Sequence, residues 1–156
     1  MIQTQFYKTP KRIRTDCGKK WLNKALSKFA TKKGIQWKPT APYSQNQDGV
    51  AERSNRTIVS RGRIMLLATS GLSKVLWGEA IVTSIYLTNR SPTKALSKGK
   101  TPHEMLYGTV PRYRHIKTFG CAAYALKPYA KDEGKLASRS EKQWLLGYEA
   151  TTIFRL

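Results

Sequence analysis

An α/β fold is predicted by three observations. Two short extended stretches, "KRIRTD" (11–16) and "IQWKP" (35–39), flank a segment of clear helical period. Two further helical segments follow, at 50–70 and 74–89. The last third then changes character and becomes rich in short strand-like runs.

The first stretch alternates around Ile13 and stops at Cys17-Gly18, which reads as a strand ending in a loop. "KKWLNKALSKFATKK" (19–33) places Trp21, Leu22, Ala25, Leu26, Phe29 and Ala30 at the spacing of one helical face, and Gly34 caps its end. Lys20, Lys24, Lys28 and Lys32 ladder along the flank; such a ladder is more often a solvated face than a nucleic-acid contact. The second strand closes at Pro39. Pro42 to Gly49 reads as loop, with Asp48-Gly49 a turn signal. A helix from Val50 ends before Gly71. Ser73 then N-caps a helix over 74–89, with Leu76, Trp77, Ala80, Ile81, Ile85 and Tyr86 inward, and Ser91-Pro92 stops it. "TPHEMLYG" (101–108) is one or two helical turns, with Thr101 as N-cap and Pro102 at N1. Residues 115–128 and 141–156 read as two strands.

The chain has 29 Lys and Arg against nine Asp and Glu, for a formal charge of +20. Such an excess points to a polyanionic partner, most often nucleic acid. Cys17 and Cys121 lie far apart, which is no disulfide framework and suits a reducing, intracellular setting. No CxxC occurs and the two histidines have no paired spacing, which argues against structural zinc. The N-terminus lacks the apolar core of a signal peptide, and the longest plainly apolar run, Ile64 to Ala68, is too short to span a membrane.

So few acids can be taken one at a time. Asp132, Glu133, Glu141 and Glu149 sit in a polar turn or the β-rich tail, and Glu79 and Glu104 suit helices. Asp16, at the end of a predicted strand, and Glu52, in the first turn of a predicted helix, remain. Thirty-five residues lie between them, which by itself is weak evidence. Acids at a strand end and a helix start can meet in one cleft of an α/β sheet. Converging carboxylates are what hard divalent metals need, and paired metals can drive phosphodiester chemistry. The plainer reading of Glu52 is a helix-surface acid paired with Arg56 four residues on, for about 0.3–0.5 kcal/mol. Asp16 could equally be an acid that only opens a loop.

"RTDCG", "TAPYSQNQDGVAERSNRTI", "SIYLTNRSPTKAL", "TPHEMLYG" and "FGCAAYALKP" resemble, in order, blocks of the integrase of Ty1/copia-type retrotransposons, and cover nearly the whole chain. The resemblance implies a ribonuclease-H-like fold and an Asp, Asp, Glu triad, with Asp16 matching the second Asp and Glu52 the Glu. It implies DNA strand transfer with Mg²⁺ or Mn²⁺, a DNA 3′-hydroxyl as nucleophile, and element ends and target DNA as partners. Further copies of the chain, or the remainder of the integrase polypeptide, would complete the assembly. The nucleus is the expected site of integration, with a cytoplasmic particle stage. In this setting Tyr43 and Gln45 are candidates to touch a substrate strand, and Arg53, Asn55, Arg56 and Arg63 to contact backbone phosphates. Arg56 and Arg63 fall within roughly 40° of Glu52 around a helix.

Departures from the family pattern are local. Cys17 stands where Asn is usual and Lys19 replaces a Gly; the loop reads Ser44-Gln45-Asn46-Gln47-Asp48, with no Pro after the Ser. A larger one is that no acid precedes Asp16, so the first Asp of the triad and the first strands of the core have no counterpart. The expected organisation is a partial, incomplete catalytic core over 1–92, a linker with a short helix over 93–114 and a small β-rich region over 115–156. Two function classes stand: a segment of an integrase, or a relic without catalysis that binds nucleic acid through its basic surface. With two of three carboxylates, catalysis by this polypeptide alone is not expected. A basic structural protein of a ribonucleoprotein would explain the charge but not the ordered blocks.

Overall fold

The computed structural model describes residues 9–15, 23–40, 49–96, 99–127 and 138–156. Packing separates into two units, Met1–Asn55 and Arg56–Leu156, and each is described by itself.

The first unit holds a strand–helix–strand motif. β1 (Arg12–Thr15) and β2 (Gln36–Pro39) pair in parallel, from Arg12 opposite Gln36 to Thr15 opposite Pro39. Parallel neighbours need a crossover between them, and α1 (Lys24–Lys32) supplies it. Asn23 caps α1 by accepting a hydrogen bond from the Ala25 N–H at 2.8 Å, so the helix starts later than residue 19; Trp21 and Leu22 lie outside the described residues. Gly34, at φ 65°, turns the chain out of α1, and the Ile35 N–H donates to the Ala30 carbonyl. The buried side of α1 is narrower than its apolar pattern suggests. Ala30 is buried against Ile35, Leu26 is half-buried, and Phe29 is 53 % exposed.

The second unit is built on two helices. α2 (Gly49–Ala68) begins in the first unit and runs into the second; α3 (Trp77–Arg90) follows a turn of 3-10 helix, Lys74–Leu76, whose N-cap is Ser73 as expected. Small residues let the two helices touch. Gly62 is buried, and a Cβ placed there would come within 2.9 Å of Ile81 Cδ1 and 3.2 Å of the Ile81 backbone. Ser84 Oγ donates to the Ile58 carbonyl at 2.9 Å, and Arg61 Nη1 donates to Thr88 Oγ1 at 2.9 Å. The buried face of α3 is therefore Ala80, Thr83 and Ser84. Trp77, expected inward, is 66 % exposed, and Ile85 is also exposed. The face is turned because two hydroxyls find carbonyls across it: Thr83 Oγ1 donates to the Leu146 carbonyl at 2.8 Å, beside the Ser84 bond.

α4 (Pro102–Tyr107) keeps its sequence-read start, and the structure adds its end. Thr101 Oγ1 accepts from the Glu104 N–H, Pro102 opens the helix, and Gly108 at φ 73° closes it. The β-rich tail differs from the two long strands expected. β3 (Ala122–Leu126) pairs antiparallel with β4 (Ser140–Trp144), and β5 (Gly147–Tyr148) with β6 (Phe154–Arg155). Residues 115–121 form turns, closed by Gly120 at φ 72°, and 149–152 bend the chain into the β5–β6 hairpin. Within this unit α3 packs against both α4 and β5.

Aromatic rings hold the tail to α3. Tyr148, 5 % exposed, stacks on Tyr86 with ring centroids 4.9 Å apart, and His115 meets both rings edge-on. Tyr86 Oη and His115 Nε2 are 2.7 Å apart. Burial, then the nearby Arg90 charge, lowers the His115 pKa, which favours the neutral imidazole. Its Nε2 can then accept from the Tyr86 hydroxyl, whose own pKa burial raises. Tyr148 Oη donates to the Lys117 carbonyl at 2.6 Å and accepts from the Lys117 N–H at 2.8 Å. Arg155 Nη1 pairs with Glu79 Oε2 at 3.1 Å.

Gly120 offers a stability test. Its φ is +72°, and a Cβ there would run into Thr69 and reach 3.0 Å from Leu72 Cδ1. Thr69 cannot easily yield, because its Oγ1 bonds the Met65 and Phe119 carbonyls. Gly120→Ala should cost about 2–4 kcal/mol, the sum of left-handed strain and overpacking. Gly99→Ala is the control: φ is +78° but nothing lies within 4 Å, so strain alone acts. Urea unfolding of both variants checks this; equal losses would contradict the packing at Gly120.

Candidate metal and nucleic-acid site

β1 and β2 run side by side and end level, with Thr15 opposite Pro39. The Thr40 N–H reaches back to the Thr15 carbonyl at 2.9 Å, fixing both strand ends together. Asp16 is the next residue in sequence after β1. From the same end of β2 the chain passes to α2, whose first residue, Gly49, is ten positions beyond Pro39. Glu52 stands in the first turn of α2, where the helix dipole favours a carboxylate. It is exposed and makes no ion pair among the described residues, so the pairing with Arg56 is not found.

Asp16, Tyr43 and Gln45 lie outside the described residues, as do Lys20 of the lysine ladder and Cys17. Arg53 folds back along α2, its Nε donating to the Gly49 carbonyl at 2.8 Å. Asn55, Arg56 and Arg63 are exposed on the same helix, and Lys24, Lys28 and Lys32 are exposed on α1. Sequence reading passed over Arg61, which lies between Arg56 and Arg63 and is tied to Thr88 of α3. Only its place in the arginine run signalled it.

Carboxylate oxygen is the right donor for Mg²⁺ or Mn²⁺. In number the described donors fall short: no group of three or more His, Cys, Asp or Glu among the described residues could hold a metal. Glu52 fits such an ion in kind, as one ligand of a set. No described helix is long and apolar enough to cross a membrane.

The chain is 34% identical, over 148 residues, to a retrovirus-related Pol polyprotein from transposon TNT 1-94 of Nicotiana tabacum, covering 95% of this chain. It is 35% identical over 128 residues, 81% of its length, to the retrovirus-related Pol polyprotein from transposon RE1 of Arabidopsis thaliana. The chain belongs to the Pol polyproteins of Ty1/copia-type retrotransposons. It spans 11% of the tobacco relative's length and 8% of the Arabidopsis one. An uncharacterized mitochondrial protein of Arabidopsis thaliana is 36% identical over 88 residues, 56% of this chain and 68% of that protein. No protein-family model matches the chain. A chain of the simian T-cell lymphotropic virus intasome, solved in complex with PP2A regulatory subunit B56 gamma, superposes with a TM-score of 0.51 at 17% identity. That match covers 92% of this chain and 50% of the other. The HTLV-2 integrase catalytic core domain, solved in trimeric form with magnesium, covers 67% of this chain and 62% of its own at 23% identity and a TM-score of 0.47. The fold is α/β and similar to that of the intasome chain; the described residues supply two parallel strands and the helices after them.

Proposed function

We propose that this chain is a segment of a retrotransposon integrase that binds nucleic acid through its basic surface. Within the intact protein, Asp16 and Glu52 hold Mg²⁺ or Mn²⁺ for joining DNA 3′ ends to target DNA. The observation that supports this reading best is the level carboxyl ends of β1 and β2. The first is followed in sequence by Asp16, and the second ends ten positions before Gly49, the start of the helix whose first turn carries Glu52. Ligands of open α/β sheets gather at that edge. Divalent cations bound there would activate the attacking oxygen and stabilise the leaving one.

The protein's own groups have simpler tasks. Glu52 offers hard oxygen ligands from a rigid helix. Arg56 and Arg63 meet backbone phosphates, and Arg53, held against Gly49, places its charge at the helix start. Asn55 donates to the same backbone, and Tyr43 and Gln45 contact the strand from the loop before α2. Two carboxylates supply too few ligands for efficient joining, so this chain alone binds without joining. Its other partners are further copies of itself or the rest of the integrase, and its place of action is the nucleus. The proposed segments are a partial core over 1–92, a linker with a short helix over 93–114 and a small β-rich region over 115–156.

A Mn²⁺ titration followed by electron paramagnetic resonance tests the pairing. One weak site is expected. Asp16→Asn or Glu52→Gln should each weaken it by more than the roughly 10–100-fold that loss of an outer-shell partner costs. The double variant should bind no more weakly than either single one. Wild-type affinity in both single variants would contradict the shared site.

A further inference from the structure

Within the second unit, the last turn of α3 and the short helix α4 enclose a hollow of about 150 Å³, lined by Asn89, Arg90, Pro102, His103, Leu106 and Tyr107. It is well below the roughly 300–1,000 Å³ of pockets for drug-sized ligands, so it suits one small group. Three features of its walls bear on what that group is. His103 and Tyr107 are four residues apart on α4, and their rings lie 4.5 Å apart at 32°, forming a two-ring ledge. Arg90 is held in place: its Cζ sits 3.5 Å from the Tyr86 ring centroid and its Nη1 donates to the Tyr86 carbonyl at 3.3 Å. The Tyr113 hydroxyl fastens the Arg90 carbonyl at 2.9 Å. His103 Nδ1 is buried with no hydrogen-bond partner, so the ring in this wall retains unmet bonding capacity.

We propose that this hollow is a subsite for one unpaired nucleotide of a nucleic-acid strand, its base on the His103–Tyr107 ledge and its phosphate at Arg90. The inference rests on the reading of the chain as a nucleic-acid binder. Its chemistry follows from the walls. An acidic protein side chain would use Arg90 but leave the ring faces and the apolar Pro102 and Leu106 idle. A nucleotide uses all of them, and a charge of +20 selects polyanions. The nucleotide must be unpaired, because bases in a duplex keep their faces stacked on one another. Asn89, exposed at the rim, can serve a base edge or a phosphate oxygen.

The test measures fluorescence anisotropy of the full chain with labelled oligo-dT and with a blunt duplex, across a salt series. Tyr107→Ala and His103→Ala should each weaken oligo-dT binding about five- to a hundredfold. Duplex binding should stay unchanged, and Tyr107→Phe should restore wild-type affinity. The slope of log affinity against log salt should not change in Tyr107→Ala, because no phosphate contact is lost. In the wild type, 5-iodouracil in the oligonucleotide should photocrosslink to the peptide 101–108. Oligo-dT binding as tight as wild type in both alanine variants, or equal losses on duplex, would overturn the subsite while leaving nucleic-acid binding intact. A wild-type chain that binds neither probe would overturn the broader reading as well.

Discussion

DNA binding by this chain is expected to weaken about 10³- to 10⁵-fold between about 50 and 200 mM salt. The reason is counterion release: each phosphate neutralised by a lysine or arginine frees a condensed cation, and the gain shrinks as bulk salt rises. With 29 basic and nine acidic residues, contact with about six to ten phosphates is well supplied. Arg56 and Arg63, exposed on α2, are the proposed contributors. Replacing Arg56 and Arg63 together by alanine should lower the slope by about two, one for each lost phosphate contact. Arg61 is a useful contrast, since its Nη1 is engaged with Thr88 Oγ1 and its loss should also disturb the α2–α3 packing. Anisotropy titrations at several salt concentrations decide the matter. Affinity that hardly changes with salt would show that the charge does not carry binding.

Much of the fold was legible where local chemistry decides it. Thr101 and Pro102 open α4 as read, because a side-chain cap and a proline at N1 act within a few residues. Ser73 is another such case, although it caps a turn of 3-10 helix first. Reading failed where the deciding partner is distant in sequence. The inward face of α3 was assigned to its largest apolar residues, Trp77 and Ile85 among them. The helix instead turns Thr83 and Ser84 inward, because their hydroxyls meet carbonyls of Leu146 and Ile58, 63 and 26 residues away. Gly62, whose missing side chain lets Ile81 approach, carried no signal in its own sequence neighbourhood. The tail was read as two long strands because its composition suits strands. Left-handed Gly120 and the bend after Tyr148 break it into short ones.

The candidate site was legible in a different way. No periodicity singles out Glu52; it drew attention as a rare acid at a helix start, and ordered sequence blocks gave it a role. The structure adds that this helix starts ten positions after the end of the strand aligned with β1. His103 and Tyr107 were legible only as part of a capped helical turn. Arg90, which lines the same hollow, comes from α3.

The central claim is that Glu52 is a metal ligand in DNA joining. Strand transfer by a Pol polyprotein carrying this chain tests it most directly, with the tobacco relative's matching 148 residues replaced by this segment. In Mn²⁺ the hybrid should join an oligonucleotide element end to target DNA. Glu52→Gln should lower joining on the order of 10³-fold, as loss of several kcal/mol of metal-supplied stabilisation implies. Oligonucleotide binding should be little changed, since glutamine keeps the shape and removes only the charge. A Glu52→Gln hybrid that joins DNA as well as its parent would contradict the account.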